Sequence, residues 1–330
     1  MMKKRIKALG LCSGGLDSIL SAVVLKEQNI EVDWISFETP FFTAKKARRA
    51  ATLIDVPIIT QNITSSYIDL LKNPHCGFGK NMNPCMDCHT FMFQMAGKIM
   101  KTAGFDFLFS GEVLGQRPMS QTLSSLNYVE KHSGLRGYIL RPLSAKKLKE
   151  TLPEKRGWVD RDRLLALSGR SRKPQIALAE KFGIYDYPTP AGGCLLTDKG
   201  YSKRLKDLMD HQSEFTENDL HLLKFGRHLR MNDHTKIIVG RTQNENDQIM
   251  NYWDQSKDMM LKTKSVPGPT VLIPNGAKKE TALLTAAICA GYSKATGDQP
   301  AKVQITTAKN QEDVVVLPAP PSKAQRYLIK

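Results

Sequence analysis

The sequence predicts an α/β protein, a parallel sheet with helices on both faces, followed by a smaller α+β domain. Short apolar runs at 6–11, 32–37, 57–63 and 105–110 alternate with helical segments near 17–28, 43–54 and 89–103. A Gly-rich hexapeptide, Ser13-Gly14-Gly15-Leu16-Asp17-Ser18, sits between the first strand and the first helix. Beyond Arg230 the texture changes to isolated strands around a turn-rich middle.

Taken in order, Ile6–Leu11 reads as a buried strand, and the helix opens at Ser18-Ile19-Leu20-Ser21-Ala22. Two glycines at such a junction let the backbone approach a phosphate closely. Hydroxyls and helix-start N–H groups then supply donors along a favourable dipole. No Gly-Lys-Ser/Thr follows, so this is not the common phosphate loop of NTPases. Ligands of parallel sheets gather at the carboxyl ends of the strands, where Ser110-Gly111-Glu112 would open on the same rim. Residues 118–182 read as mostly helical and basic, interrupted at Arg141-Pro142, Pro153 and Lys173-Pro174. The stretch Tyr187-Pro188-Thr189-Pro190-Ala191-Gly192-Gly193-Cys194 is too rich in Pro and Gly for a helix. Residues 201–225 read as two short amphipathic helices. A strand at 236–240, a helix near 279–293 and strands near 302–307 and 313–317 complete the chain. The expected division is a catalytic domain over 1–200, a helical linker over 201–231 and a terminal domain over 232–330.

With 330 residues, 41% of them hydrophobic, the chain can bury two cores. No apolar run is long enough to span a bilayer, and the basic start lacks a signal-type apolar region, so no membrane partner and a cytoplasmic location are expected. The formal charge is +16. Residues 131–181 hold 14 Lys/Arg against 5 Asp/Glu, a stretch that attracts a polyanion, with RNA as the expected partner. Arg141, Lys146, Lys147 and Arg172 are candidates for contacts to its phosphates.

Six cysteines in this setting argue for metal or sulfur chemistry more than for disulfides. Cys85-Met86-Asp87-Cys88 has the spacing that lets two thiolates bind one centre, and Cys194 is a third candidate. Pro84 and the Gly192-Gly193 pair would place all three on exposed turns. Three readings stay open: a zinc site completed by Cys76, His75 or His89; a redox pair relaying sulfur as a persulfide; or three ligands of an iron–sulfur cluster with one open iron. Cys12 and Cys289 lie in apolar runs and are expected to be buried and inert.

Together these residues carry a resemblance. Ser13–Ser18, with Ser110-Gly111-Glu112-Val113-Leu114-Gly115-Gln116, Ser120-Gln121-Thr122-Leu123 and Leu140-Arg141-Pro142-Leu143, resembles the PP-loop catalytic domain of tRNA 4-thiouridine synthetases over about residues 5–185. Asn83-Pro84-Cys85-Met86-Asp87-Cys88 and Gly192-Gly193-Cys194 are similar to the paired cysteine loops of tRNA 2-thiouridylases. The tail over about 232–318 resembles an NFACT-type RNA-binding domain, through Ile238-Val239-Gly240-Arg241-Thr242-Gln243, Val266-Pro267-Gly268-Pro269 and Ala290-Gly291-Tyr292-Ser293-Lys294. Family members usually carry a THUMP region ahead of the catalytic domain. Here the terminal domain is expected to supply the RNA grip, and the cysteine trio to replace a rhodanese-like sulfur carrier.

The resemblance implies ATP-dependent adenylation of a tRNA uridine followed by sulfur insertion to give 4-thiouridine. Ser13, Gly14, Gly15, Asp17, Ser18, Phe37, Gly111 and Gln116 would bind the nucleotide, with Asp17 positioning Mg²⁺ or pyrophosphate and Phe37 near the adenine. Catalysis would fall to Asp17, Cys88 and Cys194. PP-loop thiolases with this cysteine pattern bind a [4Fe–4S] cluster, here through Cys85, Cys88 and Cys194. A sulfur donor (sulfide or a cysteine desulfurase) and a homodimer are further implied partners. Alternatives are 2-thiolation, or a PP-loop amidotransferase or deazaguanine synthase with a zinc site; a non-enzymatic RNA adaptor is the rival of another class.

Overall fold

The computed structural model describes residues 5–189, 194–295 and 299–329, and the chain divides into two compact units at Thr197/Asp198. The Pro190–Gly193 part of the Pro/Gly-rich loop lies outside the described residues.

The first unit runs β1 (Lys7–Leu11), α1 (Leu16–Lys26), β2 (Glu31–Glu38), α2 (Lys45–Ile54), β3 (Ile58–Asn62) and α3 (Thr64–Lys72). It continues through α4 (Cys85–Thr102), β4 (Phe107–Ser110), α5 (Leu123–His132), β5 (Ile139–Leu140), α6 (Leu152–Lys155) and α7 (Lys173–Lys181). The five strands are parallel and ordered β3-β2-β1-β4-β5. Strand order therefore reverses between β1 and β4, which opens a crevice at their carboxyl ends. Helix α1 touches α2 and α7, while α4 touches α3 and α5, so two helical layers flank the sheet. Ala8, Trp34, Phe107 and Phe109 are all buried in one core with α1.

Two expectations are corrected here. Residues 133–172 are not mostly helical: between α5 and α7 lie only β5, α6 and two three-residue turns. Gly134, Gly137, Gly157 and Gly169 all have positive φ, a backbone state that ends helices. The motif Cys85–Cys88 is not an exposed turn either. It forms the first turn of the 18-residue helix α4, and Cys88 is only 8% exposed.

The second unit carries α8 (Lys199–His211), α9 (Glu217–Leu222), β6 (Arg227–Asn232), β7 (Thr235–Val239), α10 (Gln243–Asn251), β8 (Met259–Thr263), β9 (Val271–Ile273), α11 (Lys279–Gly291), β10 (Ala301–Thr306), β11 (Gln311–Val316) and α12 (Pro321–Ala324). Its sheet is antiparallel, ordered β11-β10-β8-β9-β7-β6, and α11 packs against it with Cys289 fully buried. The run Gly240-Arg241-Thr242 has a structural cause. Thr242 caps α10 by accepting from the Glu245 N–H, and Glu245 pairs with Arg241. A side chain at Gly240 would overlap Asn246, whose Oδ1 accepts the Thr270 N–H at 2.9 Å. That motif is thus a turn-building signature.

Candidate functional site

The hexapeptide forms a tight loop from β1 into α1. Gly14 has φ +73°, and any side chain there would overlap the Lys46 backbone at the start of α2. The loop is laced internally: the Ser13 and Ser18 hydroxyls lie 3.2 Å apart, and the Ser13 N–H donates to the Ser18 hydroxyl at 3.3 Å. The Gly14 N–H donates to the Cys12 thiol, which is buried as expected and pushed up to about 12 by that burial. Gly15 begins α1 with no side-chain cap, so the helix start faces the crevice as an anion-binding terminus.

The loop after β4 completes this rim. A Cβ on Gly111 would come 2.5 Å from the Asp17 carbonyl carbon and the Ser18 nitrogen, so glycine alone lets β4's exit press on α1. Gln116 Nε2 donates to Asp17 Oδ2 at 2.7 Å. Burial raises the Asp17 carboxyl above its usual range, opposed by Gln116, Arg172 and Arg117. Its other oxygen, Oδ1, is buried without a partner. Ser13, Gly14, Gly15, Asp17, Ser18, Gly111 and Gln116 are thereby brought together. Phe37 lies at the carboxyl end of β2 and is 3% exposed, with its ring inside the protein.

Sequence reasoning underused one neighbour of this rim. Leu114 bridges Ser168, and the Gly169 N–H donates to the Leu114 carbonyl at 2.7 Å, which delivers the start of α7 to the crevice. There Gln175 Nε2 donates to Gln116 Oε1 at 2.9 Å. A glutamine inside a basic segment gives no signal by type or spacing.

Glu112 faces inward. Its oxygens take Arg141 Nε at 3.0 Å, His89 Nδ1 at 3.0 Å and the Ser110 hydroxyl at 3.0 Å. Burial alone would raise the Glu112 pKa, but Arg141 and His89 outweigh it and hold the carboxyl at about 2. Arg141 is 2% exposed and also pairs with Glu130 at 2.5 Å. Arg141 is therefore excluded as a surface phosphate contact, and Glu112 ties the β4 loop to the core. Lys146 and Lys147 are exposed, whereas Arg172 is half-buried beside Asp17.

The cysteine trio also gathers on this side of the sheet. Asn83 Nδ2 donates to the Cys85 thiol at 3.2 Å. Cys194 precedes Leu195, whose N–H donates to Phe41 beyond β2 at 3.1 Å. Cys85, Cys88 and Cys194 are close enough that charge on their neighbours raises the Cys88 and Cys194 thiols, and the buried Tyr67 phenol stands among them. Burial pushes the Cys88 thiol up to about 12, so it is a protonated thiol at neutral pH. Burial raises Cys194 as well, opposed by the Leu196 and Thr197 N–H groups and by Arg117. As a donor set, three soft thiols suit zinc or an iron–sulfur cluster. Among the described residues, no group of three or more His, Cys, Asp or Glu side chains is placed to hold a single metal ion.

Residues 4–152 match the family described as "Thiamine biosynthesis protein (ThiI)", and residues 226–328 match the "NFACT protein RNA binding domain". A tRNA-specific 2-thiouridylase (MnmA 2) of Clostridium botulinum is 33% identical over 124 residues, 33% of this chain and 35% of that protein. A probable tRNA sulfurtransferase of Finegoldia magna is 30% identical over 144 residues, 42% of this chain and 36% of that protein. The similarity thus spans about a third of these relatives' length. A solved 4-thiouridine synthetase–RNA complex with bound ATP is 19% identical, covers 54% of this chain and 41% of that one, and has a TM-score of 0.39. On its two family matches, the chain joins a ThiI-family domain at residues 4–152 to an NFACT-type RNA-binding domain at residues 226–328.

Proposed function

We propose that the chain is an ATP-dependent tRNA thiouridine synthase. The observation that carries the reading is Arg117, which lies within electrostatic reach of both the Asp17 carboxylate and the Cys194 thiol. A phosphate loop and a sulfur site that share one cation suit a reaction in which the base must meet both. ATP's phosphates rest on Ser13–Ser18, with Asp17 and its open oxygen placing Mg²⁺ or pyrophosphate. The uridine oxygen attacks the α-phosphate; pyrophosphate leaves, and the base carries AMP as a good leaving group.

Sulfur arrives on Cys194 as a persulfide loaded by a donor such as a cysteine desulfurase. Its terminal sulfur attacks the activated carbon and AMP departs with the former base oxygen. The Cys88 sulfur then attacks the Cys194 sulfur as its proton passes to the departing thiobase, which leaves a Cys88–Cys194 disulfide for an external dithiol to reduce. We assign the product as 4-thiouridine, because the ThiI-type match covers the nucleotide loop and the loop after β4. The NFACT-type unit grips the tRNA. No helix among the described residues is long and apolar enough to cross a membrane.

The test is nucleoside mass spectrometry of tRNA from cells lacking the gene, paired with tRNA-dependent pyrophosphate release in vitro. Loss of 4-thiouridine is expected; loss of a 2-thiouridine instead would move the ring position. Asp17→Ala should lower pyrophosphate release at least about 100-fold, while Cys194→Ser should keep it and abolish thiolation. Full thiolation by both variants sinks the reading. Iron with labile sulfide in protein purified without oxygen would replace the persulfide by a [4Fe–4S] cluster on Cys85, Cys88 and Cys194.

A further inference from the structure

The first turn of α7 lies beyond the ThiI-type match, which ends at residue 152, yet it forms a wall of the nucleotide crevice. Three buried polar atoms without partners meet there: Asp17 Oδ1, Arg172 Nε and Gln175 Oε1. Gln175 is 1% exposed, so bulk solvent does not reach its oxygen. Buried polar groups are nearly always paired, and several orphans facing one crevice mark a missing ligand. Their signs are complementary: two acceptors suit a hydrated cation, and a guanidinium donor suits an anion beside it.

We infer that Arg172 and Gln175 belong to the nucleotide site, with Arg172 donating from Nε to a phosphate oxygen and Gln175 acting as a positioning residue. Gln175 works through Gln116: its amide holds the Gln116 oxygen at 2.9 Å, which turns the Gln116 amide onto Asp17 Oδ2 at 2.7 Å. The Gln175 amide also lies close enough to Asp17 to favour its carboxylate directly, while Asp17 Oδ1 has no partner within hydrogen-bond distance. The approach is fixed from the backbone, since Leu167 and Ser144 are tied at 2.7 Å and the Ser144 hydroxyl also takes the Leu114 N–H at 3.0 Å. Arg172 thereby departs from the exposed Lys146 and Lys147, whose side chains face solvent.

This assignment rests on the reading of Ser13–Ser18 as an ATP cradle. The ligand chemistry is a phosphoanion, which a triphosphate or an RNA backbone could supply, so the test has two arms. Calorimetry on the full chain measures α,β-methylene-ATP with Mg²⁺, and a filter assay measures tRNA. Arg172→Ala is expected to weaken the nucleotide about 10- to 100-fold and tRNA less than twofold. Gln175→Met keeps the length and removes the amide donor to Gln116 without burying a new charge beside Asp17. It should shift the Mg²⁺ dependence of pyrophosphate release toward higher concentration, with a melting temperature close to the parent's. A merely structural glutamine would lower the melting temperature and leave the Mg²⁺ dependence alone. Unchanged nucleotide affinity in Arg172→Ala, or a loss confined to tRNA, overturns the assignment. A parent protein that binds no nucleotide removes the ATP reading itself, a different failure read from the unmutated chain.

Discussion

Glu112 shows how much a single side chain can settle. Sequence placed it on the nucleotide rim; its three partners place it inside, where Arg141, at 2% exposure, has few other sources of compensation. Removing one member of a buried ion pair costs about 3–5 kcal/mol when the other charge is left alone, and less where, as here, Arg141 keeps Glu130. Glu112→Gln should therefore lower the unfolding free energy of the first unit by about 1–3 kcal/mol, seen as a lower urea midpoint by fluorescence of Trp34 and Trp158. The pH dependence has a definite sign. A carboxyl at about 2 when folded and near 4.3 when unfolded adds stability that is complete above pH 5 and lost as pH falls toward 2. The acid limb of the stability curve should flatten in Glu112→Gln; an unchanged limb would assign the acid sensitivity elsewhere.

At the level of elements, the phosphate cradle depends on two close approaches: Gly14 against Lys46 and Gly111 against the Asp17–Ser18 backbone. Gly111→Ala adds one methyl where 2.5 Å is available. We expect it to push the β4 exit away from α1 and weaken nucleotide binding more than about tenfold, in calorimetry, with a melting temperature lowered by several degrees. An affinity equal to the parent's would show that the α1 start is not the anchor.

The strand–helix alternation of the first unit was legible because its apolar runs are short and clearly spaced: 32–37 was expected and β2 spans Glu31–Glu38. Both glycines of the cradle were legible for the same reason. The basic stretch misled, because Lys, Arg and Leu are good helix formers by composition, whereas Arg161 and Lys146 spend their donors on the Leu148 and Asp162 carbonyls of irregular backbone. The start of α4 was masked by Pro84, which reads as a turn and in fact sits at the helix cap. Arg172 and Gln175 could not be ranked from sequence, since their importance comes from the Leu114–Ser168 bridge, a pairing 54 positions apart.

For the molecule as a whole, charge is divided unequally. Residues 1–197 hold 28 Lys/Arg against 17 Asp/Glu, and residues 198–330 hold 20 against 15, so the first unit carries +11 of the +16. Under the proposed function, the electrostatic share of tRNA attraction falls mainly on the first unit, and the second is expected to contribute through shape and specific contacts. Log affinity for tRNA against log salt should slope steeply for residues 1–197 expressed alone and shallowly for residues 198–330. Equal slopes would contradict this division of labour.

The seating of Gly14 on the Lys46 backbone bears on energetics before any ligand arrives. A hollow whose walls are already rigid loses little chain freedom on capturing its guest. Nucleotide uptake should then proceed with a small heat-capacity change and at a rate indifferent to viscosity-damped loop motion.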